Sequence, residues 1–129
     1  MRACLIDTHE WLWLQTDRAR FAPSLLAELE TAERLMLSAA STWEIAVKYA
    51  LGKVPLPHEP TRYLPRRIRV SGSELVPIEV AHTLRAGALP LHHRDPFDRL
   101  LIAQAQLLRV PIVTADRAFD VYDVRTIRV

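Results

Sequence analysis

Four short apolar runs and a fifth, mixed run punctuate this chain, and helix-forming stretches separate them. The runs cover residues 3–6, 35–37, 75–78, 112–113 and 124–127. Apolar runs this short, bounded by turn and cap residues, read as buried strands. Helix starts lie between them. Thr8 precedes an apolar segment to Leu14, and Pro23 opens a helix to about residue 34. Ser41 starts a helix that Gly52 stops, and Glu79 starts one that Gly87 ends. Residues 60–70 read as helix interrupted by Pro65, and Pro96 opens a helix to Leu108. Strands alternating with helices require a parallel sheet covered on both faces. Pro77 would put the third strand at a sheet edge. We therefore expect one α/β domain over residues 1–129.

Acids stand at the ends of these runs. Asp7 follows Ala3-Cys4-Leu5-Ile6, and Asp116 follows Ile112-Val113-Thr114-Ala115. Glu44 lies near the start of the helix after the second run, and Asp98 in the first turn of the helix from Pro96. Open α/β sheets bind ligands at the carboxyl ends of their strands. Four carboxylates gathered there would repel one another, and a hard divalent cation, Mg²⁺ or Mn²⁺, is the usual resolution. Each acid also has a structural reading. Ser41-x-x-Glu44 matches a capping box. Asp95 fits an N-cap, with Asp98 favoured by the positive helix end. Asp116 fits a turn or a cap. Asp7 is the hardest to give a folding role, although an N-terminal cap would explain it as well.

Bulk composition narrows the class without choosing a function. Half the residues are hydrophobic and a quarter charged, which suits a soluble domain with a real core. No leader pattern and no bilayer-length apolar stretch occurs, so a cytoplasmic protein without a membrane role is expected. Cys4 is the single cysteine, which excludes an intrachain disulfide and a cysteine-rich zinc site. The net charge of +2 does not mark a nucleic-acid binder, but its distribution is uneven. Arg62, Arg66 and Arg69 fall within one helical stretch. That face fits phosphate contacts, a protein partner, or an ordinary solvated surface. Arg99, beside Asp98, is a further candidate for phosphate. Trp11, Trp13 and Trp43 suit core or dimer packing, with base stacking as the alternative. The histidines lack metal-ligand spacing.

Four segments in order carry a family resemblance. They are Leu5-Ile6-Asp7-Thr8-His9, Ser38 through Ala46 around Trp43-Glu44, His92-His93-Arg94-Asp95-Pro96-Phe97-Asp98-Arg99, and Val113-Thr114-Ala115-Asp116. Together they resemble the PIN-domain family, in particular the VapC toxins of bacterial toxin–antitoxin pairs. The Asp-Pro-Phe-Asp-Arg helix start is the most specific piece. The resemblance implies an α/β/α sandwich with a five-stranded parallel sheet, usually as a homodimer. It implies a Mg²⁺- or Mn²⁺-dependent endoribonuclease with catalytic Asp7, Glu44, Asp98 and Asp116. Thr114 falls where a hydroxyl supports the last acid. A cognate antitoxin would wrap the toxin and block its active site.

On this reading Asp7, Asp98 and Asp116 hold the metal, and Glu44 orients water, acts as base or completes the shell. Lys48 pairs with Glu44 one turn on, or merely decorates the surface. Three other readings compete. A phospho-receiver domain would need paired acids after the first strand, which Ile6-Asp7 does not provide. A catalytically idle interaction domain would use the acids as caps alone. A PIN-type nuclease of RNA processing or decay would commonly carry additional domains.

Overall fold

Cys4, Leu5 and Ile6 are wholly buried because strand β1 (Ala3–Ile6) lies in the middle of a five-stranded sheet. The computed structural model describes all residues 1–129. The other strands are β2 (Arg34–Ser38), β3 (Glu74–Val76), β4 (Ile112–Thr114) and β5 (Thr126–Arg128). They are ordered β3-β2-β1-β4-β5, and every pairing is parallel. Helices α1 (Thr8–Thr16), α2 (Pro23–Thr31), α3 (Ala39–Ala50), α4 (Pro60–Ser71), α5 (Val80–Ala88) and α6 (Pro96–Leu108) cross over between them.

Strand alternation divides the core. Cys4, Ile6, Leu35 and Leu37 pack with Trp11, Leu14, Leu25, Leu29, Ile45 and Leu64. Leu5, Met36 and Ile112 pack on the other face with Leu101, Ile102, Phe119 and Tyr122. The two faces alternate because successive side chains on a strand point to opposite sides. Burying one such aliphatic side chain contributes about 1.5–3 kcal/mol. No helix is long and apolar enough to cross a membrane.

Several local expectations are corrected. Pro65 does not interrupt α4, which runs unbroken. The proline ring cannot donate to the Thr61 carbonyl, but both residues are exposed, so water can serve that group. Consequently Arg62, Arg66 and Arg69 do share one exposed face. Helix α3 begins at Ala39, not Ser41, because Ser38 caps it by accepting from Ala40 N at 3.0 Å. Gly87 lies inside α5. Pro77 falls beyond the end of β3, though β3 is an edge strand as expected.

The strand order turns around at β1. From β1 the chain builds outward to β2 and β3, then returns to add β4 and β5 on the opposite side. The crevice at such a switch point opens between the carboxyl ends of β1 and β4. Asp7 follows β1 there, and Thr114 ends β4. Helix α6 runs antiparallel to the strand it precedes, so its N-terminus reaches the same edge of the sheet.

Candidate active site

Asp7, Glu44, Asp98 and Asp116 line one cleft of about 460 Å³. Glu10, Asp95, Lys48, His9, His93 and Trp13 also line it. Six carboxyl groups therefore face one ammonium group.

Asp7 caps α1 and is 6% exposed. Its Oδ1 accepts from Thr8 N at 2.7 Å, and its Oδ2 accepts from Thr114 Oγ1 at 2.8 Å. Burial pushes its pKa up to about 7, and the neighbouring Glu10 adds to the rise, while the Thr114 and Thr8 hydrogen bonds oppose it. Asp98 sits in the first turn of α6, behind the Asp95 cap. Asp95 Oδ1 accepts from Phe97 N and Asp98 N, which gives Asp95 a structural duty. Asp98 Oδ2 meets His93 Nε2 at 2.6 Å. Burial again raises its pKa to about 7. The His93 contact opposes that rise, and Asp7, Asp95 and Glu44 add to it.

The capping-box reading of Glu44 fails. Glu44 lies in the second turn of α3, well past the cap, and is 3% exposed. Thr8 Oγ1 donates to its Oε1 at 2.8 Å, and Lys48 Nζ donates to its Oε2 at 2.7 Å. The Lys48 pair is thus partly buried and faces the cleft, not the outer surface. Asp116 is exposed at the rim and accepts from Ala118 N at 2.9 Å, as a cap of the short 3₁₀ turn Arg117–Val121.

Thr114 behaves differently from expectation. Its hydroxyl reaches Asp7 Oδ2, and it accepts from the backbone N of Asp116 at 3.0 Å. It therefore orients the first acid's carboxylate, and only the backbone of the last.

Glu10 was not singled out from the sequence, yet it is 3% exposed and belongs to the cleft. Its Oε2 accepts from Ala115 N at 2.8 Å and lies 3.1 Å from Thr114 Oγ1. It ties α1 to the turn that carries Asp116. The available signal was the Asp7-x-x-Glu10 spacing, which puts two acids on one helical face.

Arg99 is not a phosphate contact. It is 8% exposed, and its two terminal nitrogens donate to four backbone carbonyls: Pro90, His93, Ala86 and Leu89, at 2.8–3.1 Å. Arg62, Arg66 and Arg69 are exposed on α4 and do not line the acidic cleft. Trp11 is core, with Nε1 donating to Ser73 Oγ at 3.0 Å. Trp13 is stacked under Arg20 at 4.4 Å, and Trp43 is 56% exposed against the edge of Phe97.

The donor set fits a hard divalent cation. Ligand atoms of His93, Asp98 and Asp116 all lie within 4.8 Å of one another. Carboxylate oxygens dominate the cleft walls. Asp7 and Asp98, held toward their neutral forms by burial, are the groups that a nearby cation would return to the charged form.

Comparison with known proteins places the chain by family and fold. A 49-residue segment is 47% identical to Ribonuclease VapC16 of Mycobacterium tuberculosis. That match covers 38% of this chain and 35% of the relative, so the chain spans about a third of that protein's length. Among solved structures, VapBC2 from Rickettsia felis bound to a promoter DNA fragment superposes with a TM-score of 0.72 at 14% identity, covering 98% of both chains. VapBC-1 from nontypeable Haemophilus influenzae gives 0.67 at 16% identity, covering 98% of this chain and 97% of the other. At these identities the likeness concerns the fold. The PIN domain family model matches residues 4–125, nearly the full length, and this chain belongs to the PIN domain family.

Proposed function

We propose that this chain is a VapC-type toxin: a Mg²⁺- or Mn²⁺-dependent endoribonuclease held in check by a cognate antitoxin in the cytoplasm. The observation that carries the reading is the convergence of Asp7, Glu44, Asp98 and Asp116, far apart in sequence, at the switch point of a PIN fold. The name of the Mycobacterium relative, a ribonuclease, and the toxin–antitoxin complexes among the structural neighbours support it.

Asp7 and Asp98 would hold the cation directly, with Asp116 at the exposed rim directly or through water. A bound cation supplies Lewis acidity toward water and phosphate. Thr114 and Glu10 keep the Asp7 side of the cleft in place. Glu44, paired with Lys48 and held by Thr8, would orient or deprotonate the attacking water. Homodimerisation is supported by an exposed apolar stripe along α3 and its C-cap, where Trp43, Val47 and Leu51 recur one turn apart.

The test is RNA cleavage with Mg²⁺ or Mn²⁺ and with EDTA. Wild type should cut only with the cation, and Asp7→Ala or Asp116→Ala should be inactive while still folded. Glu44→Gln should also lose activity, because Gln keeps the Thr8 contact but not the charge that holds Lys48. Cleavage that persists in EDTA would sink the reading.

The α4 arginines give a separate expectation. If their face guides RNA, the Arg62→Gln, Arg66→Gln, Arg69→Gln triple variant should flatten the salt dependence of RNA binding. Each lost phosphate contact should lower the slope of log affinity against log salt by roughly 0.7 for single strands. Mn²⁺ affinity should not change. An unaltered slope with weakened dimer or antitoxin binding would assign the face to a protein partner instead.

A further inference from the structure

The segment 86–93, the last turn of α5 and the loop that leads toward α6, has no sheet partner, and its conformation is set from one side by the buried Arg99 guanidinium. Arg99 Nη1 donates to Pro90 O and His93 O, and Nη2 donates to Ala86 O and Leu89 O. Tyr122 closes the other side. Its hydroxyl donates to Pro90 O at 2.8 Å and accepts from His93 N at 2.8 Å. His93 is thus pinned at both its backbone nitrogen and its carbonyl. Buried carbonyls without partners are costly, so one guanidinium that meets four of them is a strong local constraint.

The consequence appears in the cleft. His93 Nε2 reaches Asp98 Oδ2 at 2.6 Å. Once a cation returns Asp98 to its charged form, its carboxylate only accepts, and Nε2 is then the donor in that contact. Asp98 and Arg99 are adjacent on α6, and neighbouring helical residues point roughly 100° apart. One therefore faces the cleft and the other faces the segment that delivers His93.

We infer that His93 is a positioning residue for Asp98, and that the Arg99–Tyr122 clamp serves to hold its imidazole there. The inference rests on the cation-site reading above. A carboxylate that binds a cation through one oxygen can still rotate about its last bond. A donor fixed on the other oxygen stops that rotation, and outer partners of this kind tune metal affinity. With Oδ2 occupied by His93, Oδ1 of Asp98 is left for the cleft. The sequence spacing of the histidines does not indicate this role, because the clamp that delivers His93 forms only in the fold.

The test is calorimetric titration of the full chain with Mn²⁺ alone, with melting curves to verify folding. His93→Phe keeps the ring shape without a donor and should weaken Mn²⁺ binding by about 10–100-fold. His93→Gln carries an amide N–H at about the reach of Nε2 and should return affinity to within about threefold of wild type. Tyr122→Phe leaves the imidazole in place but loosens its segment, and should weaken binding by a smaller factor. Wild-type affinity in His93→Phe would overturn the inference while leaving the cation site standing. Gln binding as weakly as Phe would also overturn it, by making the imidazole itself a ligand. Absence of Mn²⁺ binding in every variant and in wild type would remove both this inference and the reading beneath it.

Discussion

Asp98→Asn should abolish RNA cleavage and at the same time raise the melting temperature of the cation-free protein at pH 8. The activity loss should be at least about 10²–10³-fold, the scale for removing one group that stabilises developing charge. The stability gain follows from linkage. The pKa of Asp98 is near 7 in the fold, raised chiefly by burial, against 3.8 as its ordinary value. A carboxyl raised in this way stabilises the fold fully below its unfolded pKa, and that contribution is lost as pH rises from about 4 through about 7. Asp7 has the same sign over the same window. The wild-type, cation-free protein should therefore melt lower at pH 8 than at pH 5. Asn keeps the shape and carries no charge, so most of that difference should shrink in Asp98→Asn. Each kcal/mol recovered is worth about 2–8 °C in a domain near this size. Mn²⁺ should raise the wild-type melting temperature and leave the variant's nearly unmoved. Equal melting of wild type and variant at pH 8 would mean that Asp98 carries no burial penalty.

Arg99→Ala should cost about 3–5 kcal/mol, the largest single loss expected outside the apolar core. Four carbonyls would each lose a charged donor; the Tyr122 hydroxyl would still serve Pro90 O, but those of Ala86 and Leu89, in residues 8% exposed, would lose the guanidinium that meets them. Against a total stability of about 5–15 kcal/mol, that loss leaves a marginal domain. Arg99→Lys should recover little, because one compact ammonium cannot replace a planar fork that bonds in two directions. Urea unfolding measures both variants. A midpoint for Arg99→Ala indistinguishable from wild type would show that the clamp bears no load.

The parts of this fold that were legible in the sequence are those governed by local pattern. Short apolar runs marked the sheet, and the Asp95-Pro96 cap marked α6 to the residue at both ends. Asp7 stood out because a buried strand ends at it. Other features depend on contacts that no local pattern encodes. Ser38 and Ser41 are both good caps, and the pattern alone does not say which begins α3. Choosing Ser41 turned Glu44 into a cap residue, whereas the earlier start carries it into the cleft to meet Thr8 and Lys48. Glu10 looks like an ordinary helical acid until β4 brings Thr114 and Ala115 against it. Arg99 reads as a surface charge beside an acid, and only the return of segment 86–93 over α6 buries it. Pro65 is a breaker only where its orphaned carbonyl is buried, and α4 tolerates it because that carbonyl meets solvent.

Crystals of the wild-type chain grown with Mn²⁺ and measured at the manganese absorption edge test the central claim most directly. The account predicts an anomalous peak in the acidic cleft, roughly 2.1 Å from carboxylate oxygens of both Asp7 and Asp98. A cleft without a peak at saturating Mn²⁺, or a peak bound to other residues, would contradict it.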